Sequence, residues 1–223
     1  MGCHCARLWL PRAVDYQKKL TPHPAFPGMT LAMALVSTAA LLFEPVSGGL
    51  IYDRALIFQG QLWRLWSGHV VHFGLSHFTW NLAVFLPSGI WLERLWPAAT
   101  RWFYTLSPLI ISAALLLFDP TLTRYAGLSG VATGMLVLLA CLQLGRRKEE
   151  PAWFWVSVLA LVGVKICVEL FTGAPVFVSG FGDIRTVPLA HIFGIISALI
   201  FWSITWLAKK TVPASEALSE NSR

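Results

Sequence analysis

Charged residues are scarce in this chain of 223 residues. Asp, Glu, Lys and Arg make up 13% of it and hydrophobic residues 56%, whereas a typical soluble domain carries about 25% charged residues. The mean hydropathy is +0.64. So little charge beside so much apolar surface is typical of a protein that lies within a bilayer, and it disfavours a soluble globular domain.

Cysteine is rare as well, and the N-terminal residues lack the apolar core of a secretory signal peptide. Of the 4 cysteines, Cys3 and Cys5 are too close together for a usual zinc site. Residues 1–28 hold basic residues and prolines instead of an apolar run, which predicts a cytoplasmic tail. No metal and no cofactor are expected.

Long apolar stretches dominate the rest of the chain. Stretches of about 20 residues, the length that crosses the hydrocarbon core, cover residues 29–48, 77–96, 101–118, 126–144, 152–172 and 187–208. The sequence therefore predicts an all-α membrane protein with six transmembrane helices. They form one domain over residues 29–208, between tails 1–28 and 209–223. An inverted internal repeat, which marks many secondary transporters, is not visible in the sequence.

Basic residues fall mainly on alternate sides of the predicted spans. Because cytoplasmic loops are enriched in Lys and Arg, we place the N-terminus inside. Most of the 17 basic residues then lie in the cytoplasm: Arg7, Arg12, Lys18, Lys19, Arg94, Arg101, Arg146, Arg147, Lys148, Lys209, Lys210 and Arg223. Those outside are Arg54, Arg64, Arg124 and Arg185. Topology thus explains the net charge of +6, and no nucleic-acid partner is expected.

Two external loops are predicted. Residues 50–76, between the first two spans, mix aromatic side chains such as Trp66 and Phe73 with polar ones, which predicts a loop lying in the membrane interface. Residues 173–187, before the last span, are rich in glycine and proline and predict a mobile outer loop.

Ser129 stands between Gly127 and Gly130 at the outer start of the fourth predicted span. Unpaired N–H groups and the positive end of a helix stabilise a developing oxyanion there. Glycines let a substrate backbone and a neighbouring helix approach the hydroxyl closely. The alternative is that the glycines only pack helices and that Ser129 bonds a backbone carbonyl.

His191 lies about one turn into the last predicted span, at a similar depth to Ser129. Histidine is the usual base that takes the proton of a serine hydroxyl. Packing of the Gly194 and Ala198 face against the Gly130 and Gly134 face would bring the pair together. No aspartate is placed to orient His191 and Glu169 lies near the end of the fifth span, so a Ser–His dyad is predicted. An interhelical hydrogen bond is the alternative role of His191.

His77 and Asn81 lie four residues apart on one face of the second predicted span. Both side chains can donate hydrogen bonds to an oxyanion.

A different class of function is a membrane cytochrome, in which histidines ligate haem between helices. Its candidate ligands are His69, His72, His77 and His191. Interface roles are otherwise expected for the two loop histidines.

Further ionisable residues lie within or beside predicted spans. Lys165 and Glu169, four residues apart, are interpreted as a pair whose members lower each other's cost of burial. A proton or ion site is the alternative. Glu44, near the outer end of the first span, is expected to reach the interface.

These residues resemble the motifs of the rhomboid intramembrane proteases over essentially all six predicted spans. Residues 127–130 are similar to the family's GxSG nucleophile motif, and His191 with Gly194 to its base motif in the last helix. The sequence departs from the usual pattern at Thr133, where an aromatic residue often stands, and at Ala198, which replaces a glycine. The resemblance implies a six-helix rhomboid-like bundle and serine endopeptidase activity on transmembrane substrates.

Two further motifs carry the resemblance. His77 and Asn81 match the family's HxxxN on the second helix. By resemblance, they form the oxyanion hole together with the amide of Ser129. Trp63 and Arg64 match the Trp–Arg pair that braces the first external loop.

Within the family, the residues around 60–65 and 165–170 resemble the rhombosortase branch. That resemblance implies substrates with a C-terminal glycine-rich motif, a transmembrane helix and a basic tail, processed at the inner membrane of a Gram-negative bacterium. The active site would open to the periplasm. The alternatives are a general rhomboid protease acting on other single-span proteins, and a rhomboid-like chaperone without protease activity. The presence of both Ser129 and His191 argues against the chaperone.

Overall fold

Helices form most of the described chain. A computed structural model describes residues 25–146, 151–173 and 187–210. In chain order these residues form α1 (Gly28–Leu42), α2 (Glu44–Leu50), β1 (Tyr52–Asp53), α3 (Arg54–Phe58), α4 (Arg64–Ser67), a 3-10 helix (Gly68–Val70), α5 (Leu75–Leu95), α6 (Pro97–Phe118), β2 (Arg124–Tyr125), α7 (Ser129–Leu144), α8 (Ala152–Thr172) and α9 (Pro188–Lys210). Almost all of the two predicted tails, and most of the predicted outer loop, lie outside the described residues.

Among the described residues, three helices are long and apolar enough to cross a bilayer. They are α6, α8 and α9 as far as Leu207. Two more apolar helices are shorter, α1 with 15 residues and α7 with 16. The prediction of an all-α, multi-pass membrane protein is confirmed, while six spans and a membrane-lying loop stay predictions.

The first predicted span is not one helix. The helix expected over residues 29–48 ends at Leu42, and α2 begins at Glu44. Phe43 between them has φ −116° and ψ 85°, outside the helical region. Pro45 supplies the physical reason, because it has no N–H to continue a helix and is tolerated in the first turn of a new one.

Proline also shapes the contact between α4 and α6. Pro108 lies inside α6, and its missing N–H frees the carbonyl of Tyr104 one turn earlier. The indole N–H of Trp66 donates to that carbonyl at 3.2 Å. The segment between α2 and α5 is thereby fixed to the side of α6.

The core of the bundle lies around α7. Most residues of this helix are buried, on every side of it, as expected for a helix surrounded by others. By contrast, α8 buries only Trp155, Val162, Ile166 and Glu169 and leaves its other residues partly or fully exposed. The helix that begins with Ser129 is therefore the most enclosed, and α8 lies at the edge.

A two-stranded sheet ties the segment between α2 and α5 to the residues before α7. Tyr52 pairs with Tyr125 in antiparallel register, and Arg124 contacts Asp53 at 3.2 Å. Arg54 donates to the carbonyl oxygens of Leu116 at 3.0 Å and of Asp119 at 3.3 Å. Because helix C-termini leave carbonyls unpaired, Arg54 caps α6 close to the start of α7.

Candidate active site

Ser129 is the first residue of α7, and a network of hydrogen bonds fixes the turn that precedes it. The N–H of Gly127 donates to the carbonyl of Gly68 at 3.2 Å. The hydroxyl of Tyr125 donates to the carbonyl of Gly127 at 2.9 Å and contacts the side chain of Ser129. The Ser129 side chain is partly accessible, although the residues on both sides of it are buried.

Gly127 makes room for two polar side chains of α5. Its φ of +131° favours glycine. A Cβ at this position would lie 2.7 Å from Cε1 and 2.9 Å from Nε2 of His77, and 3.4 Å from Nδ2 of Asn81. The structure thus brings His77 and Asn81 against the turn before Ser129. Asn81 is 7% exposed, and its Nδ2 is buried without a hydrogen-bond partner among the described residues.

The helices that carry Ser129 and His191 touch through their backbones. A Cβ added to Gly130 would lie 2.8 Å from the carbonyl oxygen of Ala190, and one added to Gly194 would overlap the carbonyl oxygen of Gly130. Small residues permit this close approach. The residue after Ser129 therefore contacts the residue before His191, and the predicted packing of α7 on α9 is present.

His191 is enclosed by neighbouring residues at this helix contact. It is 4% exposed and close enough to His77 for their charges to interact. Among the described residues, no hydrogen bond joins the hydroxyl of Ser129 to the imidazole. Catalytic hydrogen bonds of free enzymes are often long and tighten when substrate binds.

Glu169 contacts His191, contrary to the sequence interpretation that left this carboxylate out of the site. Its Oε2 lies 2.8 Å from Nδ1 of His191, and its Oε1 accepts a 2.7 Å hydrogen bond from Nζ of Lys165. The contact with the imidazole is an ion-pair contact rather than a well-aligned hydrogen bond, since Oε2 accepts none from the described residues. The predicted Lys165–Glu169 pair is present, but it has a third member.

One signal in the sequence could have indicated Glu169. It lies one turn before the end of α8, and His191 lies one turn after the start of α9. Consecutive antiparallel helices place such positions at the same depth. Depth alone does not give the face of the helix, which is why the sequence interpretation missed the contact.

Trp63 and Arg64 lie in the segment between α2 and α5 and donate hydrogen bonds to the residues around its start. The indole N–H of Trp63 donates to the carbonyl of Gly49 at 3.1 Å. The Arg64 guanidinium donates to the carbonyls of Gly48 at 3.1 Å and Ile51 at 2.7 Å. These hydrogen bonds hold the start of the loop together.

The two loop histidines are buried, which differs from the interface roles expected for them. Nε2 of His69 lies 3.0 Å from both the carbonyl of Pro108 and the hydroxyl of Ser112, and burial lowers the pKa of His69 to about 4. Nε2 of His72 accepts from the N–H of Leu128 at 3.4 Å. Burial and the nearby His77 lower the pKa of His72 to about 3. Both rings are therefore neutral supports of the segment around Ser129.

Comparison with known proteins identifies the family to which this chain belongs. Within the described residues, no group of three or more His, Cys, Asp or Glu side chains could hold a metal ion. A search of curated proteins finds no match. The family model of the Rhomboid domain matches residues 59–208, which include every helix from α4 to α8 and nearly all of α9. The chain therefore belongs to the rhomboid family, whose members are generally intramembrane serine proteases acting on transmembrane substrates.

Proposed function

We propose that this protein is an intramembrane serine endopeptidase with Ser129 as the nucleophile and His191 as the general base. The observation that carries the proposal is the backbone contact between α7 and α9. Gly130 packs on Ala190, and Gly194 packs on Gly130, so the two reactive residues flank one helix crossing. A base beside a serine hydroxyl is the arrangement that activates it.

The groups around the turn before Ser129 suit an oxyanion hole. The amide of Ser129, the ring of His77 and the side chain of Asn81 would donate to the oxyanion that forms when the hydroxyl attacks a peptide carbonyl. Asn81 supports this role best, because its buried Nδ2 has no partner in the described part of the chain. A buried amide donor without a partner lowers stability, which is understandable if its acceptor arrives with the substrate.

The depth of the site supports cleavage within the membrane. The 16 residues of α7 are about 24 Å long at the usual rise, less than the roughly 30 Å of the hydrocarbon core. Ser129, as the first residue of α7, would therefore lie below the membrane surface. A cavity of about 600 Å³ reaches His72, which contacts the backbone next to Ser129. Its lining does not include Ser129 or His191, so the water that deacylation requires would pass the ring of His72 to reach the serine.

The finer proposal concerns topology and substrate. We propose six spans within residues 29–208, tails 1–28 and 209–223 in the cytoplasm, and a site that opens to the periplasm of a Gram-negative bacterium. The substrates would be exported proteins that end in a glycine-rich motif, a transmembrane helix and a basic tail. The similarity of residues 60–65 and 165–170 to the rhombosortase branch supports that choice.

A fluorophosphonate probe tests the nucleophile without a natural substrate. The purified protein should be labelled, and Ser129→Ala should abolish labelling while the thermal unfolding curve stays unchanged. Ser157→Ala is the matched control, because Ser157 is exposed on α8 and donates only to the carbonyl of Trp153 in its own helix. Equal labelling of Ser129→Ala and wild type would refute the assignment.

The substrate class needs a second experiment. Two fusion proteins would share one transmembrane helix and one basic tail, and only the first would carry a glycine-rich segment before the helix. Co-expression with the protease should give cleavage of the first fusion alone, and Ser129→Ala should prevent it. Equal cleavage of both fusions would indicate a general rhomboid protease instead.

A further inference from the structure

Three ionisable groups meet at the Ser129 end of the bundle: Lys165, Glu169 and His191. The two oxygens of the carboxylate have different partners, with Oε1 at 2.7 Å from Nζ of Lys165 and Oε2 at 2.8 Å from Nδ1 of His191. Glu169 is 3% exposed, and the side chain of Lys165 is 23% exposed. The carboxylate and the imidazole are therefore both enclosed, whereas Lys165 is partly accessible.

A purely structural ion pair does not explain this position. Glu169 lies one turn from the end of α8, where a glutamate that serves only to neutralise Lys165 could turn toward the interface and avoid the cost of burial. Its Oε2 instead points at the imidazole and accepts no hydrogen bond from any other described group. The buried oxygen thus has one electrostatic partner, which is the ring of the proposed base.

We propose that Glu169 is a positioning residue that holds His191 in the tautomer required for catalysis, and that Lys165 holds Glu169 in place. This inference rests on the proposed function. A carboxylate only accepts hydrogen bonds, so it favours a hydrogen on the Nδ1 that faces it. The neutral ring then has its free lone pair on Nε2, the nitrogen available to Ser129.

The same contact stabilises the charge that develops during the reaction. The hydroxyl of Ser129 transfers its proton to Nε2 while its oxygen bonds to the carbonyl carbon and the carbonyl electron pair moves onto oxygen. The imidazolium formed in this step lies beside the Glu169 carboxylate. The proton then passes from Nε2 to the leaving amine as the C–N bond breaks, and water repeats the sequence to release the acyl group.

Lys165 presents the competing arrangement. Its Nζ lies 3.3 Å from Nδ1 of His191, and an ammonium group only donates. If Lys165 donated to Nδ1, the hydrogen of the neutral ring would lie on Nε2 and leave no lone pair for Ser129. The shorter distance to Glu169 and the attraction between carboxylate and ring N–H favour the Nδ1–H form. The two arrangements make opposite predictions for the ring nitrogens.

The decisive measurement combines labelling kinetics with nitrogen NMR of the full-length protein in detergent. The wild-type ring of His191 should show a protonated Nδ1 and an unprotonated Nε2. Glu169→Gln should lower the maximal rate of fluorophosphonate labelling on the order of 100-fold, and a loss of at least tenfold is required. The probe concentration that gives half-maximal labelling should not change. Lys165→Met, which keeps the carboxylate beside the ring, should lose less than Glu169→Gln.

Glu169→Gln alone leaves the positive charge of Lys165 without its carboxylate partner. The double variant Lys165→Met/Glu169→Gln removes that charge and serves as the control. It should remain as slow as Glu169→Gln. Recovery to within tenfold of wild type, or a wild-type ring protonated on Nε2, would overturn the inference. If Ser129→Ala still reacts with the probe, the proposed function itself fails. If only Ser129→Ala loses activity and Glu169→Gln keeps it, the function stands and the positioning role does not.

Discussion

Two buried glutamates, at opposite ends of the same bundle, have different kinds of partner. Glu93 on α5 is 5% exposed and Glu169 on α8 is 3% exposed. Glu93 accepts from the backbone N–H groups of Met29 at 3.0 Å and Thr30 at 2.9 Å, and from the Thr30 hydroxyl at 2.7 Å. The Thr30 hydroxyl also lies 2.8 Å from that of Tyr104. Glu93 therefore caps the first turn of α1.

The partners of the two glutamates indicate which one serves stability and which one could take part in chemistry. The N–H groups at the start of a helix need an acceptor and cannot change protonation state, so Glu93 has a purely structural task. Glu169 faces a lysine and a histidine, which can take up and release protons. Burial of a carboxylate in a membrane protein therefore does not by itself identify a functional site. The chemistry of the group it faces is the more informative feature.

The largest effect is expected at the Ser129 end, for Asn81, whose buried Nδ2 has no hydrogen-bond partner among the described residues. Asn81→Ala should slow labelling by a fluorophosphonate through the loss of one oxyanion donor, at a cost of roughly 3–4 kcal/mol in barrier height. Thermal stability should not fall, because the Asn81 Nδ2 makes no hydrogen bond in the described structure. Rate and melting temperature, measured on the same sample, separate the two effects.

Thr79→Val is the matched control for Asn81→Ala. Thr79 lies on the same helix, is exposed, and donates only to the carbonyl of Leu75 within that helix. It should change neither rate nor stability. A normal labelling rate for Asn81→Ala would remove that side chain from the proposed oxyanion hole.

Glu93→Gln should give the opposite result at the other end. The amide group of glutamine would set N–H donors against the N–H groups of α1, which should lower the free energy of unfolding by roughly 3 kcal/mol. Labelling per folded molecule should remain that of wild type, because α1 begins far from Ser129. If Glu93→Gln slowed labelling as strongly as Glu169→Gln does, while the protein stayed folded, the two glutamates would not differ in function as proposed.

Much of the helical framework could be predicted from the sequence, since apolar length is the main signal. The span predicted over residues 152–172 coincides with α8, and the one over 101–118 ends with α6 at Phe118. The sequence does not reveal the break between α1 and α2, because Glu44 and Pro45 lie within a stretch that is apolar over most of its length. Composition gives the length of such a stretch but not the conformation of Phe43.

The candidate site could be predicted as a set of residues but not as a set of contacts. The sequence indicates four site residues because three helices each carry a polar group near their start. These residues are Ser129, His191, His77 and Asn81. Glu169 was left out, since helices that are apolar on every side give little indication of which face meets a neighbour. The side chains that contact the base come only from the packing of α8 and α9.

A smaller effect is expected in the pH dependence of the protein's stability, to which the buried His69 contributes. Its pKa is lowered to about 4 in the folded protein, so the unfolded chain binds a proton at a higher pH than the folded chain does. Stability should therefore be full above about pH 6.5 and fall as the pH drops toward 4. The loss should be roughly 2 kcal/mol between pH 7 and pH 5.

His69→Leu tests that assignment. The variant should be less stable at pH 7, because the hydrogen bonds to Pro108 and Ser112 are lost, but its further loss between pH 7 and pH 5 should be roughly 2 kcal/mol smaller than that of wild type. Thermal unfolding in detergent at both pH values measures the difference. An identical pH dependence in both proteins would assign the acid sensitivity to other groups.

The smallest effect concerns two tryptophans of the segment between α2 and α5, each of which donates its indole N–H to a backbone carbonyl. The Trp63 ring is 55% exposed, so water can replace it as donor to the carbonyl of Gly49, and Trp63→Phe should cost about 0.5 kcal/mol. Trp66 donates to the buried carbonyl of Tyr104, which Pro108 leaves free, and Trp66→Phe should cost about 1 kcal/mol or somewhat more. Unfolding curves of both variants give the order. The reverse order would mean that the hydrogen bond from Trp63 to Gly49, at the start of the loop, stabilises the protein more than the hydrogen bond from Trp66 to α6. The segment around Ser129 would then be supported mainly through Gly49 and its neighbours.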